Sequence, residues 1–191
     1  MKKNIVLVSA GAFAVSGIAF AGSVTQDLTG IHSYESLADA LNHQLTFNIG
    51  AGSEVVGFSF VDVTGVGLEA DGVTEGGPSW GNEMQMAIGS SAAPAVAISF
   101  FPGEGSATAG GPWGPESGAG DLIAAGLNFV VEADGILTME FYEGYNDHVG
   151  SADAKYTGGS VTIEYNEIPA PGALALLGLA GIAGIRRRRN R

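Results

Sequence analysis

Oxygen-bearing side chains crowd one stretch of this 191-residue chain: Glu140, Glu143, Asn146, Asp147, His148 and Asp153, set around Tyr142 and Tyr145. Carboxylates and amides on a short polar segment suit Ca²⁺, which takes about six to eight oxygens from flexible loops. Glu143, Asp147 and Asp153 are the candidate ligands. No D-x-D-x-D-G spacing occurs, so no EF-hand loop is encoded. Tyrosine rings offer apolar faces to sugars, which makes Tyr142 and Tyr145 candidate ligand contacts. Trp113 is a third, because it stands in a Gly-rich stretch, residues 103–120, that reads as a long surface loop. A plainer reading exists for each: a solvated acidic hairpin loop, and a Trp packed against the body. Both alternatives stay open on the sequence.

Catalytic patterns are sparse. The three histidines, His32, His43 and His148, form no H-E-x-x-H, and no G-x-S-x-G elbow, P-loop or dinucleotide fingerprint is present. With no Cys, thiol catalysis, disulfides and Cys-based zinc sites are excluded. A glycosidase needs two carboxylates at a set distance in space, and twenty acids supply many chance pairs. The reading is a non-enzymatic protein that needs no cofactor, Ca²⁺ aside. A carbohydrate-binding module is the alternative, and a glycoside hydrolase or lyase ranks below it. Clustered Lys and Arg are missing from the middle of the chain, so nucleic acid is not a partner.

The elements that must position these residues read as strands. Leu45, Phe47 and Ile49 share a face, as do Leu137, Met139 and Phe141, and Val161, Ile163 and Tyr165. Over residues 55–63, Val56, Phe58 and Phe60 fall on one side and Val55, Val61 and Val63 on the other, as in a strand covered on both faces. Trp80 joins Met84, Met86 and Ile88 as an expected core residue, and residues 95–101 and 127–131 are further apolar runs. Ala70-Asp71-Gly72, Gly76-Gly77-Pro78 and Ala133-Asp134-Gly135 mark turns. One short helix is predicted over residues 33–41, with Ser33 as its N-cap. The fold class is all-β, a single β-sandwich or jelly-roll-like domain.

The two ends have their own grammar. Lys2 and Lys3 precede an apolar run to Phe20, and Ala19-Phe20-Ala21 presents the small residues that signal peptidase reads. Cleavage is expected after Ala21, making residues 1–21 a signal peptide. At the other end Pro169-Ala170-Pro171 precedes an apolar stretch carrying Leu174, Leu176, Leu177, Leu179, Ile182 and Ile185. Arg186, Arg187, Arg188, Arg189 and Arg191 follow. As a helix, residues 172–185 would reach about 21 Å, short of a hydrocarbon core of about 30 Å. Snorkelling Arg stems would cover part of the deficit and hold the tail on the cytoplasmic side.

This three-part tail, residues 168–191, resembles the PEP-CTERM sorting signal of Gram-negative bacteria, with Ala170 where the family usually has Glu. The resemblance implies export, transient tethering in the inner membrane and cleavage by an exosortase-type protease. Delivery to the cell surface or extracellular matrix follows, with a structural or adhesive role in exopolysaccharide or biofilm matrix. Removing both ends leaves residues 22–167 as the body, with all twenty acids and Lys155 as its one base, a formal −19. Such a field attracts cations and repels anionic polymers.

Overall fold

Alternating hydrophobicity resolves into two antiparallel sheets. The computed structural model describes residues 20–91, 93–102 and 108–168. The strands are β1 (Phe20–Asp27), β2 (His32–Ser33), β3 (His43–Asn48), β4 (Glu54–Gly67), β5 (Met84–Ser90), β6 (Ala93–Phe100) and β7 (Trp113–Asp121). After one helical turn, α1 (Leu122–Ala125), come β8 (Phe129–Val130), β9 (Ile136–Glu143) and β10 (Ala154–Glu167). One sheet runs β1-β10-β4-β7, with β2 on β10 and β8 on β4; the other runs β3-β9-β5-β6. A single buried cluster draws on both. Val55, Tyr156, Val161 and Ile163 come from the first sheet, and Met86, Ile88, Leu137, Met139 and Phe141 from the second. Phe141 meets Tyr156 edge-on with centroids 5.7 Å apart, and Phe58 stacks on Phe100 at 4.1 Å. The all-β expectation holds, and the three inward triads predicted on β3, β9 and β10 all reach this core.

Strand β4 departs from simple alternation. Val55, Phe58, Phe60 and Val63 all join the core, whereas Val61 is half exposed. Register shifts against β10 and β7 are the cause, with Asp62 at φ 51° inside one of them. Each extra residue moves the following side chains to the opposite face. The expected two-sided strand is therefore one-sided, with its parity reset along its length.

The Gly-rich segment is corrected in its second half, its residues 103–107 lying outside the described residues. Residues 113–121 are not surface loop but strand β7, the edge neighbour of β4. Gly118 and Gly120 lie opposite Phe60 and Phe58, and a Cβ on either glycine would come within 2.6 Å of the facing ring. The phenylalanines of β4 thus lie across a neighbouring strand that has no side chains there. The apolar surface comes from the partner strand, so the segment's own composition conceals that it is a strand.

Three smaller expectations also change. Residues 33–41 form no helix, and Ala38 takes φ 71°, which a helix cannot contain. Ser33 is used instead in β2, paired with Ala154. Trp80 stands in the turn before β5 and is 41% exposed, so it is not a core residue. The apolar run 127–131 contributes only the two residues of β8, with Leu127 exposed and Val131 buried.

Replacing Gly118 or Gly120 by Val should force the Phe60 or Phe58 ring out of place and cost about 1–3 kcal/mol. Thermal melting should show a fall of several degrees for each. Valine at exposed Gly30, which has open space around it but φ 82°, separates ring displacement from backbone strain. Its variant should melt without loss of the Phe58–Phe100 stacking signal in near-ultraviolet circular dichroism.

Candidate functional site

Strand β9 serves both faces of its sheet. Leu137, Met139 and Phe141 point inward, and Glu143 follows them with 1% exposure. Ser33 Oγ donates to Glu143 Oε1, and Ser79 Oγ donates to Oε2 at 3.3 Å. The Glu143 backbone N–H donates to the Glu35 carbonyl at 3.0 Å. Burial pushes the Glu143 carboxyl well above the usual carboxylate range, the serine hydroxyls oppose the shift, and the charges of Asp153 and Glu83 add to it. Burial, then the Glu143 charge, raises the phenol of Tyr156, whose hydroxyl has no partner among the described residues.

Beyond β9 the chain turns through residues 144–153 before entering β10. Asp153 is fully buried; its N–H donates to the Ser33 carbonyl at 3.0 Å. Its Oδ2 accepts the N–H of Asp147 at 3.0 Å. Burial is the main reason that its carboxyl is pushed up to about 6. Glu35 ties the loop from the other side: Oε1 accepts the Gly150 N–H at 2.7 Å, and Oε2 accepts from Asn146 Nδ2. Glu140, Glu143 and Asp153 are buried, while residues 144–151 between them are exposed or half-buried. Asp147 and Asp153 come together, but both oxygens of Glu143 are held by serine hydroxyls. Among the described residues no three His, Asp or Glu side chains form a group able to hold a metal ion, so the expected trio does not converge.

The expected aromatic contacts separate. Trp113 is buried at the start of β7, and its indole N–H donates to the Thr108 carbonyl at 2.7 Å. Tyr142 is buried too, its hydroxyl donating to Gln85 Oε1. Neither ring has a free face for a sugar, which corrects both assignments. Tyr145 is 65% exposed and remains accessible. Of the processing residues, Ala21 lies in β1 opposite Asn166. Ala19, Pro169, Ala170, Pro171 and the tail residues from Leu174 to Arg189 lie outside the described residues. Among the described residues no helix is long and apolar enough to cross a membrane.

A site that sequence reasoning missed lies on the outward face of the four-stranded sheet. The pairing places Gln44, Glu140 and Ala87 in one cross-strand row and Thr46, Thr138 and Gly89 in the next. Ala87 and Gly89 leave the floor low, and Ser90 and Ser91 extend it. Leu37 and Ala38 form a wall, giving an open groove of about 330 Å³. Glu140 builds that wall: its Oε1 accepts the Ala38 N–H and Asn42 Nδ2, both at 2.7 Å, and its Oε2 accepts Gln44 Nε2 at 3.2 Å. These contacts hold the chain off the helical path predicted for residues 33–41. The groove's signal in sequence is weak: Thr/Gln/Glu at alternate positions of β3 and β9 with small residues on β5.

The buried Glu143 gives a pH test with a definite sign. Its folded form favours the proton, so its contribution to stability is complete below about pH 4.5, the unfolded value, and is lost as pH rises through the raised folded value. Glu143→Gln keeps the shape and cannot ionise. The melting temperature of this variant minus that of the parent should rise steadily from pH 4 to pH 8; a flat difference would place the carboxyl in a solvated setting.

No protein-family model, no curated protein and no solved structure matches this chain.

Proposed function

We propose that this chain is an exported, non-enzymatic cell-surface or matrix protein whose body is a jelly-roll-like β-sandwich that adheres to neutral polysaccharide. The signal-like N-terminus and the PEP-CTERM-like tail support export and processing by signal peptidase and an exosortase-type protease. The observation that carries the adhesive reading is the groove over β3, β9 and β5. Its outward hydroxyl and amide groups, on Thr46, Thr138 and Gln44, match the donors and acceptors of sugar hydroxyls. Its open form suits a polymer passing through rather than a small molecule enclosed. A body at −19 disfavours uronate-rich or sulfated chains and leaves uncharged ones. Of the residues lining the groove, Glu140 alone is acidic, and three donors already hold its carboxylate. A paired-carboxylate hydrolysis would need a second acid beside it, so binding is the better-supported role.

Affinity electrophoresis through gels containing neutral or anionic polysaccharides tests the adhesive half. Retardation by a neutral glucan, mannan or galactan is expected, and Thr138→Arg should weaken it at least about tenfold, or about 1.4 kcal/mol, with an unchanged melting temperature. Retardation only by anionic polymers, or none by any, would remove the reading. For the sorting half, Pro169→Ala with Pro171→Ala in a host carrying an exosortase-type protease should leave a larger, membrane-retained form. Normal processing of that variant would show that the motif is not the signal.

A further inference from the structure

We propose that the 146–153 loop is a Ca²⁺ site, with Asn146 Oδ1, Asp147 Oδ2 and Asp153 Oδ1 as its side-chain ligands. The carrying observation is that all three oxygens are sealed from solvent and have no hydrogen-bond partner among the described residues. Asp153 is wholly buried, and its Oδ2 is committed to the Asp147 N–H, while no hydrogen bond of ordinary geometry reaches Oδ1. A buried acceptor left unmet costs about 1–3 kcal/mol, more when charged. Ionised carboxylates and an amide oxygen are acceptors only, so in that form they cannot satisfy one another. A cation within reach of all three would satisfy each of them.

The surroundings favour a hard divalent ion. Glu35 fixes both ends of the loop through Gly150 and the Asn146 amide nitrogen, which turns the Asn146 oxygen away from the Glu35 contact. Glu143 and Asp153 lie close enough for their charges to interact, and Glu83 adds to the same field. Lys155, the one base of the body, is paired with Glu75 at 3.0 Å. Two carboxylates and an amide form a set of oxygens that backbone carbonyls and water would complete to the coordination number of Ca²⁺. Glu143 is not in this set, which differs in that respect from the trio read in the sequence. His148 Nε2 is also buried and unpartnered in the same loop. It is a nitrogen donor, and a site built around it would instead select a transition metal.

The test uses the full chain in detergent, stripped with EDTA and dialysed, then titrated with CaCl₂, MgCl₂ or ZnCl₂ at fixed ionic strength. Ca²⁺ should bind once per chain by calorimetry, raise the melting temperature by several degrees and slow hydrogen exchange at residues 146–153. Asp147→Asn and Asn146→Ala should each weaken Ca²⁺ binding at least tenfold, and His148→Gln should leave it unchanged. Asp153→Asn should abolish it; should that buried change prevent folding, the partly exposed Asp147 and Asn146 variants still decide the matter. Equal shifts with Ca²⁺ and Mg²⁺ would mean screening of the −19 body. Preference for Zn²⁺ lost in His148→Gln would mean a different metal. Absence of any shift at millimolar Ca²⁺, or a Ca²⁺ response surviving in Asp147→Asn and Asn146→Ala, would overturn the assignment. The groove plays no part in any of these readouts, so this test and the polysaccharide test fail independently.

Discussion

With twenty acids and Lys155 as the one base across residues 22–168, the body has almost no cation to set against its carboxylates. Its loops are therefore held by N–H and O–H donors. Asp71 accepts the N–H groups of Val73 and Thr74 and the Thr74 hydroxyl, which draw its carboxyl down to about 2. Asp134 accepts from Ile136 and Ser91, Asp121 caps α1 through Ala124, and Glu83 holds the N–H of Trp80. Charge-assisted bonds of this kind are stronger than neutral ones and give each turn a fixed geometry. The acidity of the chain thus does structural work that Lys and Arg share in other proteins. The 146–153 loop is where donors run short, and that shortage is what singles it out.

The same economy explains how much of the fold could be read in advance. Where a strand keeps strict alternation, as in β9 and β10, the inward residues follow from spacing, and Glu143 continues the inward parity of Leu137, Met139 and Phe141. The reading failed where distant residues decide. Bulges reset β4, and they depend on its pairing with β7 and β10 rather than on its own composition. Strand β7 borrows its apolar cover from Phe58 and Phe60. Residues 33–41 carry a plausible helical pattern that Glu140, about a hundred residues further on, overrides by taking the Ala38 N–H. Trp113 looked like a loop residue because Gly and Pro surround it, yet those neighbours let the backbone pass close to β4 while the indole enters the core.

The candidate sites show the same division. Nearness in sequence made the 140–153 cluster visible, but not which of its members face the interior, the groove or the loop. The groove draws on β3, β5 and β9, whose relevant residues span positions 44 to 140, so pairing must be known before the face exists.

Strand β9 joins these regions physically. Thr138 and Glu140 face the groove, Phe141 meets Tyr156 across the core, and Glu143 hands the chain to the 146–153 loop. Asp153 then opens onto β10, which runs 14 residues to Glu167, about 45 Å at 3.3 Å per residue. Glu167 pairs with Phe20, so both ends of the body leave from one end of the six-stranded sheet, opposite the loop. Ordering of the loop by an ion would act on Ser33 and Glu35 together, because Ser33 binds Glu143 and Asp153, and Glu35 binds Asn146, Gly150 and the Glu143 N–H. Glu35 and Ser33 in turn begin the 33–42 segment whose later residues, Ala38 and Asn42, wall the groove through Glu140. The loop and the groove wall thus share the 33–42 segment, in which the Glu35 N–H donates to Asn42 Oδ1 at 2.9 Å and Asn42 Nδ2 to Glu140 Oε1 at 2.7 Å.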